Sequence, residues 1–145
     1  MYATTYAKAK DVADAVSQLK GADEGKLLAG GQTLIPTLKQ RLASSDCLID
    51  LNDAGLSGIS DEGGSIRIGA MTRHVEVETS ELVKKAIPAL ATLASGIGDR
   101  QVRNCGTIGG SVANNDPSAC YPSALLALDA TVHTCLLYTS DAADE

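Results

Sequence analysis

The sequence predicts an α+β fold built from two subdomains. Three observations lead there. Residues 1–54 alternate short apolar runs with helical stretches in the order β-α-β-α-β, the pattern of a small parallel or mixed sheet covered by helices. Residues 55–134 open on a glycine-turned hairpin and continue as a series of short helices. The 145 residues are 44% hydrophobic yet include no Phe and no Trp, so the chain can build a core, and that core is aliphatic.

The elements follow in order. Met1 to Tyr6 has the Thr and Tyr content of an edge strand. Asp11 to Lys20 is an amphipathic helix, with Val12, Ala15, Val16 and Leu19 at i, i+3, i+4 and i+7. Gly21 to Gly25 breaks it. Lys26 to Ala29 is a short apolar strand, Gly30-Gly31 a turn, and a helix runs from Thr33 as N-cap to about Leu42, with Pro36 in its first turn. Cys47 to Leu51 is a buried strand, and Asn52 to Ser57 is the seam between subdomains. Ser57–Ser60 and Ser65–Ala70 form a hairpin around Asp61-Glu62-Gly63-Gly64, with Ile66 and Ile68 facing inward. Thr72 caps a helix to about Thr79, and Ser80 caps Glu81 to Ile87. Pro88 interrupts, and Ala89 to Ala94 is a further helix ended by Ser95-Gly96. Gly98 to Pro122 reads as a long functional loop without its own periodicity. Tyr121 to Leu128 is an apolar helix, and Ala130 to His133 starts a strand. Residues 135–145 break the pattern and resemble the in-frame translation of a sequencing-library adapter. They are set aside as a non-native tail, with the natural sequence ending near Thr134.

Charge and cysteine usage narrow the function classes. A net charge of −6 argues against nucleic acid and against an anionic membrane surface. No apolar run approaches a membrane span, and no signal peptide precedes the first strand, so the expected location is the cytoplasm. Cysteines stand at 47, 105, 120 and 135 with no C-x-x-C pair, which reads as free thiols in a reducing compartment.

Two stretches carry the candidate chemistry. Leu27 to Pro36 is strand, glycine turn and helix start. Such a turn aims several free N–H groups and a positive helix end at one spot, which suits a phosphate; the same residues also describe a plain corner without a ligand. In Gly98 to Pro122, Gly109-Gly110 again bares the backbone, with Thr107, Ser111, Asn114, Asn115 and Asp116 around it. Neither glycine pair fits the dinucleotide fingerprint, and no Gly-Lys-Ser/Thr or Gly-x-Ser-x-Gly exists. His74 and His133 have no ligand spacing and read as surface or helix-end residues; no metal site is expected. Two backbone-exposing turns without an acid/base pair suit a cofactor that brings its own chemistry, with a diphosphate held between them.

Ala29-Gly30-Gly31-Gln32-Thr33-Leu34-Ile35-Pro36, Ile68-Gly69-Ala70-Met71-Thr72, and Gly98 to Asn104 followed by Gly106-Thr107-Ile108-Gly109-Gly110-Ser111 resemble the FAD-binding medium subunit of molybdenum hydroxylases. That family includes carbon monoxide dehydrogenase, xanthine dehydrogenase and related aldehyde or aromatic hydroxylases. The resemblance spans about residues 1–134. It implies a fold of the vanillyl-alcohol oxidase / p-cresol methylhydroxylase type, with noncovalent FAD held between residues 1–54 and an incomplete second subdomain, 55–134. It implies that Ala29, Gly30, Gly31, Gln32, Thr33 and Leu34 wrap the diphosphate and that Thr107, Ile108, Gly109, Gly110 and Ser111 lie along the flavin and its ribityl-phosphate arm. Ile97 and Ile108 would be apolar walls for the ring. Where the family carries an Asp before an aromatic-Pro pair, this sequence has Cys120 before Tyr121-Pro122; Asp116 and Cys120 complete the cofactor-binding set. No side chain is assigned a catalytic role.

The implied activity is that of an electron-transfer flavoprotein subunit. Molybdopterin would reside on a large partner and 2Fe-2S clusters on a small partner, with electrons passing through FAD to NAD⁺, a quinone or oxygen. The C-terminal half of the family's fold is missing, which implies weak FAD binding or none by this chain in isolation. The alternatives are a stand-alone FAD-dependent oxidase of the same fold and a non-catalytic assembly module.

Overall fold

A computed structural model describes residues 2–134. The expected tail at 135–145 lies outside the described residues, as does Cys135. Mixed helix and strand is what the structure shows, with two sheets among the described residues.

The first sheet is wholly parallel, in the order β1-β3-β2, from β1 (Thr5–Lys8), β2 (Lys26–Leu28) and β3 (Cys47–Asp50). The β-α-β-α-β reading is borne out: α1 (Val12–Gly21) links β1 to β2, and α2 (Leu34–Lys39) links β2 to β3. Asp11 caps α1, its Oδ1 accepting from the Asp14 N–H at 2.7 Å. Ala9, Ala15 and Ile49 form the core on this side, with Leu19, Cys47 and Leu51 packed against them. At the end of β3, Asp50 accepts from the Tyr6 hydroxyl at 2.5 Å and from both nitrogens of Asn52. Burial pushes the Asp50 carboxyl up, but these donors outweigh it and hold it below the ordinary carboxylate range.

β4 (Ile59–Asp61) and β5 (Ile66–Ile68) form the expected antiparallel hairpin, with Ile59 opposite Ile68. Gly63 at φ +74° and Gly64 at φ +131° make its turn, a backbone path that L side chains rarely adopt. Six helices follow: α3 (His74–Thr79), α4 (Glu81–Ala86), α5 (Pro88–Ser95), α6 (Arg100–Cys105), α7 (Ile108–Asn114) and α8 (Cys120–Ala127). Val77, Val83, Leu90, Ala91, Ala94, Ile108 and Tyr121 form the core here. As expected for a chain without Phe or Trp it is largely aliphatic, with Tyr121 as its one large ring, fully buried.

Four expectations need correction. Gly98–Pro122 is not one long loop: it contains α6, α7 and the start of α8. Asp99 Oδ1 accepts from Val102 N–H at 2.8 Å and Thr107 Oγ1 from Gly110 N–H at 3.1 Å, so each short helix is started by a capping side chain. Thr33 makes no side-chain cap to α2, which ends at Lys39 rather than Leu42, followed by Arg41 at φ +59°. Thr72 does not cap α3. Its fully buried hydroxyl donates to Gly58 O at 3.1 Å and accepts from Gly58 N–H at 2.9 Å, pinning the hairpin base. Finally, Ala130–His133 is exposed and in no strand.

Because α6 has only six residues and no buried side chain, its cap carries much of its definition. Replacing Asp99 with Ala is expected to cost about 1 kcal/mol of stability, the usual worth of such a cap, read as a lowered denaturant midpoint.

Candidate functional site

The first glycine turn leaves β2 and enters α2. Gly31 sits at φ +70°, and the Gly31 carbonyl accepts from Ile35 N–H at 3.0 Å. Among the described residues, nothing accepts a hydrogen bond from the N–H of Gly30, Gly31, Gln32, Thr33 or Leu34. The start of α2 leaves its first N–H groups free, as helix N-termini do, and the glycine turn before it adds the N–H of Gly30. They are suited to the oxygens of an anion.

The second glycine turn differs. Ile108 N–H donates to Thr72 O at 3.0 Å and Gly109 N–H to Ala70 O at 2.8 Å. Gly110 N–H goes to the Thr107 hydroxyl and Ser111 N–H to the Thr107 carbonyl. Arg73 and Thr107 form an antiparallel bridge, so residues 70–74 and 106–109 run as a short paired segment. The donors of Ile108 to Ser111 are therefore committed within the protein.

The two turns nonetheless meet. A Cβ placed on Gly30 would strike the Cys105 carbonyl and come within 2.7 Å of Gly106 Cα; one placed on Gly110 would lie 3.4 Å from Ala29 Cβ. Bare backbone at Gly30 is thus required by the end of α6 lying directly on it. Ala29 and Gly30 thus lie against Gly110, Cys105 and Gly106, so the first turn abuts the second and the end of α6.

The remaining expected residues fall in three environments. Ile108 is only 7% exposed and belongs to the core, and Ile97 packs against that core, so both side chains serve packing. Asp116 is exposed and turned onto its own loop, accepting from Ser118 Oγ at 2.7 Å and Ser118 N–H at 2.8 Å, which holds its carboxyl below the ordinary range. Cys120 is exposed at the first position of α8, and Cys47 and Cys105 are likewise free thiols.

Sequence reasoning missed three features. Arg103 donates to Glu78 at 3.0 Å and to Gly98 O at 3.1 Å, tying α6 to α3 behind the site; both partners are more than two-thirds buried. A polar cavity of about 150 Å³ lined by Asn52, Ser57, Met71, Arg73 and Glu76 lies where the 52–57 segment passes α3. His74 begins α3, as a helix-end reading had it, but it is buried rather than on the surface. Its ring centroid is 5.3 Å from that of Tyr121, and neither His74 Nδ1 nor Tyr121 Oη has a hydrogen-bond partner among the described residues. Burial alone lowers the basicity of His74, and burial, with Cys120 adding, raises the pKa of the Tyr121 phenol. Among the described residues no cluster of His, Cys, Asp or Glu could hold a metal, and no helix is long and apolar enough to cross a membrane.

Comparison with known proteins places this geometry. A family model described as "FAD binding domain in molybdopterin dehydrogenase" matches residues 2–136. The chain is 40% identical over 129 residues to the glyceraldehyde dehydrogenase medium chain of Sulfolobus acidocaldarius, covering 88% of this chain and 46% of that one. It is 34% identical over 128 residues to the xanthine dehydrogenase FAD-binding subunit of Escherichia coli O157:H7, covering 87% and 44% respectively. Among solved structures it superposes with a TM-score of 0.83 and 42% identity on carbon monoxide dehydrogenase from Hydrogenophaga pseudoflava, over 85% of this chain and 44% of that one. The chain thus spans less than half the length of these relatives.

Proposed function

The chain belongs to the family of FAD-binding domains of molybdopterin dehydrogenases, and on that premise we propose that it is the diphosphate-binding part of an FAD-carrying electron-transfer subunit of a molybdenum hydroxylase. The observation that carries this reading is the set of open donors from Gly30 to Leu34. FAD is dianionic at its diphosphate, and backbone N–H groups bind such oxygens without adding a charged side chain. The residues fit the group: Gly30 and Gly31 leave the backbone bare, and the backbone of Cys105 and Gly106 supports the turn from behind.

When bound, FAD accepts and releases electrons; the protein holds and orients it. In this reading Ala29 to Leu34 grip the diphosphate. Thr107 to Ser111 contribute shape rather than donors, with Ser111 and the Gly109-Gly110 backbone lining the arm that leads to the flavin. Asp116 and Cys120 stand at the outer end of the same loop. The two-subdomain division at residues 54/55 and the vanillyl-alcohol oxidase / p-cresol methylhydroxylase type of fold belong to the same proposal. So do the partners: a large molybdopterin subunit and a small subunit with 2Fe-2S clusters, in a cytoplasmic complex. Relatives of this chain are named as medium chains of dehydrogenases, which supports a multi-subunit assembly. The stand-alone oxidase and the assembly module have no comparable support.

Titration of the chain with FAD, followed by flavin fluorescence, tests the reading. Weak, saturable binding that ADP displaces is expected, because ADP carries the same diphosphate while the chain spans less than half the length of its relatives. Binding that ADP leaves unchanged would contradict it.

A further inference from the structure

Four groups lie in sequence behind the open turn. Gly30 rests on the backbone of Cys105 and Gly106. A Cβ on Gly106 would lie 2.6 Å from His74 Nε2 and 2.9 Å from its Cδ2, so the imidazole already fills that side of Gly106. His74 N–H also donates to Gly106 O at 3.0 Å. The imidazole also packs on the Tyr121 ring, centroids 5.3 Å apart, and Tyr121 is a fully buried member of the core. The order is core, His74, Gly106, Gly30.

We propose that His74 is a positioning residue: its neutral imidazole is the spacer that fixes the Gly106 backbone, and through it the Gly30–Leu34 turn, at a set distance from the Tyr121-centred core. This deepens the reading of that turn as the diphosphate site and rests on it for its functional meaning. Size and neutrality both matter. A smaller side chain leaves Gly106 unsupported, and a protonated imidazole adds a charge at a buried ring whose Nδ1 has no hydrogen-bond partner among the described residues.

The ionisable groups on the packed elements do not offset that charge. α3 brings Glu76 and Glu78, α6 brings Arg100, Arg103 and Cys105, α4 brings Glu81, Lys84 and Lys85, and α8 brings Cys120 and Tyr121; α5 has none. Glu78 is held by Arg103, Glu76 by the Arg73 N–H at 2.7 Å, and Lys84 by Glu81. None hydrogen-bonds the imidazole. Since burial holds His74 below its ordinary value of 6.5, the folded chain binds fewer protons there than the unfolded one. Stability therefore rises with pH across the window below 6.5 and is lost as the solution is acidified through it.

Amide hydrogen exchange on the chain without flavin tests the spacer directly. The reporters are the N–H groups of Ile35 (to Gly31 O), Ile108 (to Thr72 O) and Gly109 (to Ala70 O); the N–H of Ala9, bonded to Asp50 O in the first sheet, is the control. In His74→Ala the three reporters are expected to exchange at least about tenfold faster, with Ala9 unchanged. His74→Gln, similar in reach and unable to gain a proton, is expected to keep their protection. After correction for intrinsic exchange, wild type at pH 5 is expected to show the same selective loss as His74→Ala, and His74→Gln none. Unchanged reporters, or equal acceleration at Ala9, would overturn the proposal, the latter reducing His74 to an ordinary core residue. If His74→Ala does not fold, the comparison of wild type with His74→Gln across pH decides alone. FAD binding that ADP does not displace would count against the diphosphate reading and leave this exchange pattern as it stands.

Discussion

Gly30→Val is expected to weaken FAD binding by about one to two orders of magnitude. The new Cβ would strike the Cys105 carbonyl and approach Gly106 Cα to 2.7 Å. Both are backbone atoms at the end of α6, and α6 is fixed by the Arg103–Glu78 ion pair and by the Asp99 cap. Neither neighbour can rotate away as a flexible side chain would, so the turn itself must move. Overpacking of this kind costs about 1–3 kcal/mol. If that displacement falls on the binding-competent turn, affinity drops by about 10- to 100-fold, since each 1.4 kcal/mol is tenfold. The valine also leaves less room for phosphate oxygens at the open donors of Gly30 to Leu34. Equilibrium titration with FAD beside a thermal melt reads both effects. Undiminished affinity in the variant would place the diphosphate elsewhere.

Gly109→Ala is expected to be the most destabilising single-methyl change in the second glycine turn. Its Cβ would lie 2.5 Å from Ala70 Cβ, 2.7 Å from Ala70 O and 2.8 Å from Ala70 Cα. The same residue donates to Ala70 O, and the neighbouring Ile108 donates to Thr72 O, so separating the segments breaks two bonds of the paired strip. The clash costs about 1–3 kcal/mol and each lost bond about 1 kcal/mol. For a chain of this size that lowers the melting temperature by about 6–20 °C. Gly21→Ala is the control: nothing lies within 4 Å of its Cβ position, and no change in melting temperature beyond a degree or two is expected. Equal effects at the two sites would show that the paired strip does not hold the second turn.

These two glycines also mark where the sequence was legible. The β-α-β-α-β order followed from apolar runs alternating with helical periodicity, while the strand order β1-β3-β2 did not, and α1 followed from four apolar residues at helical spacing with Asp11 before them. α6 and α7 did not show, for physical reasons. At six and seven residues they are too short for a periodic face. α7 contains Gly109 and Gly110, poor helix formers, tolerated there because close backbone packing against Ala70 and Ala29 demands them. The available signal was capping: Asp99 before Val102 and Thr107 before Gly110. The same logic misled at Thr33 and Thr72. Tertiary bonds claimed the Thr72 hydroxyl for Gly58, and Thr33 adopts helical rather than capping torsions.

The site was half legible. Both glycine turns were identifiable as bends, and nothing in their residue types shows which keeps its N–H groups open. The pairing of residues 70–74 with 106–109 takes the donors of Ile108 and Gly109, and Thr107 takes those of Gly110 and Ser111, while those of the first turn stay open. The packing of Ile97 and Ile108 was not legible for a related reason. An apolar residue beside a glycine can line a ligand or face inward, and here the core needs it. His74 and Tyr121 were unreadable because a lone His and a lone Tyr become informative only when burial brings their rings together.

The central claim is that the N–H groups of Gly30 to Leu34 receive a flavin nucleotide's diphosphate. Amide chemical shifts of the chain, followed while FAD is added, test it most directly. The largest changes are expected at residues 30–34, with smaller ones at 107–111 and none at Ala9 or Leu51. Flavin bound with the 30–34 amides unmoved, or shifts centred on another surface, would contradict the account.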